Sequence, residues 1–212
     1  MTAHYRLPSG PEPSPPPAPA ARLSRAPSAT AGFYRRIAKR GLDVLAVLIL
    51  LPVVLPVILL LALLVMRDGS APFCSQTRIG RGGRPFKMWR LRSTIADAGI
   101  RPADPRITPF GHFLRRSALD DLPQLWNVLK GDMSLVGPRP MTPDQAPLYP
   151  GEACCRLRPG ITGVWQVSGR DAPALADRAR CNATYEQNLS LATDLQILAA
   201  TVRVVLREAD HS

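Results

Sequence analysis

The sequence predicts a mainly α chain with a small β-hairpin (α+β): an N-terminal re-entrant membrane helix plus a compact cytosolic domain with amphipathic interfacial helices. Three features carry this. Val44 to Met66 is a stretch of 23 residues without a charge, Gly80-Arg81-Gly82-Gly83 lies between two short alternating runs, and apolar residues recur at helical spacing near the C-terminus. They divide the chain into a proline-rich arm (1–34), a membrane-anchoring helix (35–68) and one domain (69–212), long enough for a single hydrophobic core.

The arm comes first. Residues 8–19, PSGPEPSPPPAP, hold seven prolines in twelve positions. Such a segment cannot bury enough apolar surface to offset the entropy of ordering it, so it reads as disordered, with a ligand for a proline-recognising domain as the alternative.

The uncharged stretch, as a straight helix, covers roughly 35 Å, enough to cross a bilayer core. It is too long and starts too late for a signal peptide. Arg35, Arg36, Lys39 and Arg40 precede it, and Arg67, Arg78, Arg81, Arg84, Lys87, Arg90 and Arg92 follow it. The positive-inside rule therefore wants both flanks on the cytoplasmic side, which a single crossing violates. Pro52 and Pro56 each remove a backbone hydrogen bond near the middle and predict a break there. A helix that dips into the membrane and returns satisfies both facts; an ordinary span with a proline kink is the alternative.

Charge follows the same division. Residues 1–92 hold 14 Lys and Arg against Glu12, Asp43 and Asp68, whereas 93–212 hold 13 of each sign, so the whole net charge of +11 surrounds the apolar run. The domain that follows lacks the basic stripe of a nucleic-acid binder. Cys74, Cys154, Cys155 and Cys181 have neither metal-site spacing nor the density of a disulfide framework, which fits a reducing cytosol.

Beyond the anchor, FCSQTRIGRGGRPFKMWRLRS predicts two strands around the glycine turn, with Phe86 and Met88 alternating against Lys87 and Trp89. One helix is expected over Thr108–Arg116 and another opening near Asp120. In the last helix Leu191, Leu195, Leu198, Val202 and Val205 form a stripe, with Arg203 and Arg207 off it, that packs on a core or lies in a membrane interface.

The chemistry-bearing stretch is LDDLP, residues 119–123. Asp121-Leu-Pro-Gln124 has the pattern of a capping box, with Asp as N-cap and Pro in the first turn. A carboxylate in the positive end of a helix dipole is held ionised, and an ionised Asp serves as a nucleophile or as a Mg²⁺ ligand. Two adjacent acids can divide those roles. An anionic substrate needs cations, and Arg115, Arg139 in GPRP, Arg158 in RPG and Arg170 in SGR stand beside Gly, Pro or the acidic pair; the planar guanidinium fork suits phosphate oxygens.

FGHFLRRSALDDLPQLWNVLKGDMSLVGPRP, residues 110–140, and RLRPGITGVWQVSGR, residues 156–170, resemble the bacterial sugar transferase family, the monotopic phosphoglycosyl transferases. The likeness runs from about Lys39 to Leu206 and takes in a KRxxD motif (Lys39, Arg40, Asp43), PFKMWRLRS and DPRIT. It implies an enzyme that moves a sugar-1-phosphate from a nucleoside diphosphate sugar, usually a UDP-sugar, to a polyprenyl phosphate such as undecaprenyl phosphate, releasing UMP. Asp120 falls on the nucleophile that forms a covalent aspartyl phospho-sugar. Asp121 falls on the acid associated with Mg²⁺, near which Asp120 also lies, and Arg115, Arg139 and Arg158 fall on arginines expected near the diphosphate. The resemblance further implies membrane lipid as a partner, possible hand-over to downstream glycosyltransferases, and a place at the bacterial inner membrane with both termini cytoplasmic. The product would begin exopolysaccharide, lipopolysaccharide O-antigen or another glycan.

This chain departs from the family at Asp121, where Glu is usual, at Leu55-Pro56 in place of a Ser-Pro step, and at the added Pro52. It departs again at Thr94, Asn182 and Thr184. The departures at Asp121 and Asn182 motivate the alternative of a catalytically silent membrane adaptor of a polysaccharide assembly complex.

Overall fold

The computed structural model describes residues 34–67, 71–94, 107–149, 153–168 and 175–210. Residues 1–33 of the proline-rich arm, Asp104 to Arg106 and Arg170 lie outside the described residues. In chain order the elements are α1 (Lys39–Met66), β1 (Phe73–Ile79), β2 (Pro85–Leu91), α2 (Pro109–Arg116), α3 (Gln124–Lys130) and β3 (Ser134–Val136). There follow α4 (Ala153–Arg156), β4 (Gly160–Thr162), α5 (Val164–Val167), α6 (Leu175–Gln187) and α7 (Leu191–Asp210). The described chain is mostly helical, with a small hairpin and one long apolar helix near its start, as the sequence predicts.

β1 and β2 pair antiparallel from Phe73↔Leu91 to Ile79↔Pro85. The glycine turn closes them because Gly82 and Gly83 both adopt φ 71°, a left-handed conformation open to glycine. The predicted alternation holds: Met88 is buried and Phe86 half-buried, while Lys87 and Trp89 face out. β3 and β4 form a short parallel pair, stitched further by Gly137 N to Thr162 O and Gly160 N to Pro138 O, both 2.9 Å. A Cβ on Gly160 would collide with the backbone nitrogen of Gly137, so only glycine lets the GPRP and RPG loops touch.

α1 is fastened by its polar first turns. Lys39 Nζ donates to Asp194 Oδ2 at 2.5 Å, and Arg40 donates to the Val128 and Leu129 carbonyls at 2.5 and 2.9 Å, a cation at the C-terminal end of α3 where the dipole favours it. Asp43 accepts from Ser134 Oγ at 2.7 Å and from the Leu135 amide at 3.2 Å. Asp194 also accepts from the Tyr34 and Tyr185 hydroxyls at 2.7 and 2.6 Å; burial and the Asp194 carboxylate push both phenols far up, so they remain donors.

Both ends of α1 pack on the same body. Val47 joins Met88, Leu125, Val128 and Met133, whereas Leu61, Ala62 and Val65 join Leu91 and Leu114. Between and around these contacts Leu48, Ile49, Val53, Leu59 and Leu60 are exposed. The predicted break at Pro52 and Pro56 is corrected: helical backbone runs through both. A proline deletes one backbone bond, and the bonds of the flanking turns carry the helix on.

α7 divides its predicted stripe: Leu198 and Val205 are half-buried, with Leu198 packed on the cluster of Val136, Leu157 and Tyr185, and the rest faces outward. Leu191, Leu195 and Val202, with Leu206, are exposed, while Thr193, Asp194 and Ile197 are buried against the domain.

Candidate active site

The acidic pair sits where β2, α2 and α3 meet. α2 ends and the chain reverses through Ala118, whose φ of 52° makes it the single non-glycine residue with positive φ among the described residues. Such a conformation is sterically costly for a residue with a Cβ and tends to persist where the surroundings over-determine it. A 3₁₀ turn, Leu119–Asp121, then presents the two carboxylates before α3 begins. Asp120 is 3% exposed.

Arg90 from β2 clamps both acids. Its Nη2 lies 3.1 Å from Asp120 Oδ2 and 2.5 Å from Asp121 Oδ1, and its Nε donates to Asp121 Oδ1 at 2.6 Å. Arg115 is held beside the pair by donating from Nε to Ser93 Oγ at 2.8 Å. The seat of α2 makes this possible: Thr108 caps it by accepting from the Gly111 amide at 2.8 Å, as the predicted start requires. Gly111 lies so close to the Ser93 backbone that no Cβ would fit.

Two expectations are corrected here. Asp121 is not a helix N-cap; α3 starts after Pro123 with no side-chain cap. Asp121 Oδ1 instead accepts from the Gln124 side-chain amide at 2.5 Å, because the 3₁₀ turn and Arg90 turn the carboxylate away from the backbone amides. Nor does the dipole keep Asp120 an easy anion. Burial raises its pKa above the usual carboxylate range, Arg90 opposes this, Asp121 adds to it, and Arg115 opposes it again. The two acids together outweigh the cost of burying Arg90 and raise its pKa.

The predicted arginines part company. Arg115 adjoins the pair. Arg139 is exposed on a loop whose Pro138 and Met141 are buried, and its charge acts on Arg78 and Arg178. Arg158 stands elsewhere: it donates from Nε to the Gly131 carbonyl at 3.0 Å and lines a cavity of about 490 Å³ with Arg81, Arg84 and Asp132. Arg90 is the functional residue that reading the motif missed. It sits in a strand, and only the hairpin's packing brings it to LDDLP. Asn182, a departure from the family, is buried and donates to the Tyr149 hydroxyl at 2.5 Å.

No group of three or more His, Cys, Asp or Glu side chains among the described residues is arranged to hold a metal. Asp120 and Asp121 supply hard oxygens on one side of a single cation, Arg90. That donor set suits Mg²⁺, which takes one or two carboxylates and completes its shell with phosphate oxygens and water.

Fold and site together define a chain with a membrane-type apolar helix and a carboxylate pair clamped by Arg90 with Arg115 beside it. Residues 34–208 match the bacterial sugar transferase family, and the protein belongs to it. It is 39% identical over 195 residues to the UDP-galactose-lipid carrier transferase of Erwinia amylovora, and 38% identical over 195 residues to the undecaprenyl-phosphate galactose phosphotransferase of Salmonella typhimurium. Each alignment covers 81% of this chain but 41% of the relative, so the chain spans about two fifths of their length. The exopolysaccharide production protein ExoY of Rhizobium meliloti is 39% identical over 194 residues, 80% of this chain and 85% of the relative.

Proposed function

We propose that the protein transfers a sugar-1-phosphate from a UDP-sugar to a polyprenyl phosphate such as undecaprenyl phosphate, giving polyprenyl-diphosphate-sugar and UMP as the first membrane step of a glycan. The observation that carries this reading is the buried Asp120, clamped with Asp121 by Arg90 and flanked by Arg115. An Asp120 carboxylate oxygen attacks the β-phosphorus of the donor; the bond from that phosphorus to the bridging oxygen breaks, and UMP leaves with the electron pair. An oxygen of the acceptor phosphate then attacks the aspartyl phospho-sugar and regenerates the carboxylate. Arg90 and Arg115 keep Asp120 ionised against its burial and stand ready for the charge that spreads over the transferred phosphoryl oxygens. Mg²⁺, held by Asp121 with Asp120, would neutralise phosphate charge when bound.

The placement of α1 supports a re-entrant anchor. A straight crossing carries its far end roughly 30 Å from the near one, across the bilayer, yet Val47 and Leu61 to Val65 pack on one domain. The exposed stripe of α7, with Trp126 on α3 and Phe113 on α2, supports an interfacial seat for that domain. In this reading residues 69–212 and both termini lie on the cytoplasmic face of the inner membrane.

Incubation with a panel of UDP-sugars carrying labelled sugar tests the chemistry. One donor should leave label on the protein, lost in Asp120→Asn; full turnover by that variant, or no UMP release from any donor, overturns the reading in favour of the adaptor. Protease protection of terminal tags tests the topology, and cleavage of the N-terminal tag from outside the cell rejects a re-entrant anchor.

A further inference from the structure

Three arginines beyond the acidic pair come together without a counter-ion. Arg78 is the last residue but one of β1; its Nη2 donates to Gln76 Oε1 at 2.7 Å, but its Nε is shut from solvent with no partner. Buried polar groups are rarely left so. The Ile79 amide donates to the Met141 carbonyl at 2.9 Å, which lays this end of the strand beside the loop carrying Arg139. Arg178 comes from α6. One turn on, Asn182 binds Tyr149, and Leu175 and Ala179 pack on the cluster of Met141, Tyr149 and Cys154, so this side of α6 faces the same loop.

The charges register the approach. Burial lowers the pKa of Arg78, and Arg90, Arg139 and Arg178 lower it further, with Asp121 opposing. Burial and then Arg139 do the same to Arg178. No ion pair with a carboxylate is formed by Arg78, Arg139 or Arg178 among the described residues. Through Arg90 and Asp121 the group adjoins the acidic pair.

We infer that Arg78, Arg139 and Arg178 form a cradle for the phosphate of the nucleoside monophosphate half of the donor, the group that departs when Asp120 attacks. The inference rests on the proposed transfer reaction and adds two residues, Arg78 and Arg178, to it. The occupant is the soluble nucleotide and not the lipid acceptor, because α6, one wall of the cradle, exposes no large apolar side chain. Exposed apolar surface lies mostly along α1, α2, α3 and α7, with Phe73 and Trp89 on the hairpin and Leu148 before α4 besides. A diphosphate bridging from the acidic pair to the cradle would have its two phosphates met by different arginines: Arg90 and Arg115 on the transferred side, Arg78, Arg139 and Arg178 on the departing side.

The test is calorimetric titration of UMP, and separately of inorganic phosphate, into the full-length protein in nanodiscs, alongside steady-state kinetics. Arg178→Gln and Arg78→Gln should each weaken UMP binding about tenfold, the loss of one charge-assisted contact, and raise the donor KM by a similar factor. The acceptor KM should stay within about twofold, Arg78→Lys should recover part of the loss, and thermal unfolding of Arg178→Gln should match the parent. Unchanged UMP affinity in a folded Arg178→Gln overturns the inference, as does a rise confined to the acceptor KM. Binding equal for phosphate and UMP, and equally lost in the variants, keeps the cradle but denies any contribution from the nucleoside. UMP binding is read without turnover, so a wild-type protein that binds UMP through these arginines but transfers nothing overturns the proposed reaction alone.

Discussion

The two ends of the hairpin are chemically unlike. At its base Arg90 is matched by two carboxylates, at 3.1 and 2.5 Å, and Arg115 is pinned by Ser93. At its tip Arg81, Arg84 and Arg158 share a cavity with a single acid, Asp132, which is itself 3.3 Å from Lys130. Burial and then the charges of Arg81 and Arg40 lower the pKa of Arg158. Arg84 and Arg90 are separated by about 20 Å of strand. The base has a compensated, immobilised cluster suited to positioning a nucleophile, whereas the tip has surplus positive charge suited to holding an anion. Arginines that look equivalent beside Gly and Pro in the sequence therefore serve different places.

The comparison can be broken or sharpened by substitution. The largest effect belongs to Asp120→Asn, which should cut transfer by at least about a thousandfold. It should also raise stability at neutral pH. Asp120's folded pKa is raised above its unfolded value, so between those values the folded state binds more protons, and stability falls as pH rises through that window. Asn escapes this loss, so its gain in thermal midpoint should be greater at pH 7 than at pH 4; an equal or smaller gain would reject burial as the governing cause.

Arg90→Gln comes next. It leaves two acids without their shared cation, and should lower transfer by about 10²–10³-fold and cost roughly 3 kcal/mol in denaturant unfolding. Arg158→Gln should slow formation of the labelled intermediate by less than about tenfold, because the lost contact is to the Gly131 carbonyl and not to the acidic pair. A drop matching that of Arg90→Gln in single-turnover labelling would merge the two ends into one site. The smallest effect is expected of Ala118→Gly. Relief of the left-handed strain is partly offset by glycine's greater freedom when unfolded, a gain of about 0.5 kcal/mol in thermal unfolding.

Much of this architecture was legible residue by residue. The hairpin follows from period-two alternation around Gly82 and Gly83, α2 from Thr108 as N-cap, and the anchor from an unbroken apolar run. The grouping of the acidic pair with Arg115 was legible because it is local. Asp121 misled because its spacing to Gln124 fits a capping box, yet the contact formed is between side chains. The stripe of α7 was visible as a period, but a period names a face and not what that face meets. Here Leu191, Leu195 and Val202 look outward.

Local pattern thus decided the elements, the membrane-type helix and the position of the carboxylates, since capping, alternation and hydrophobic length act over a few residues. Tertiary structure alone decided that Arg90 clamps the pair, that Arg158 lies at the far end of the hairpin and that both Val47 and Leu61 to Val65 of α1 pack on the domain. Those outcomes depend on contacts between segments distant in the chain, such as Arg90 with Asp121 or Asp43 with Ser134. Charge and burial at such contacts, which no short stretch encodes, also set whether Asp120 is an easy anion or a strained one.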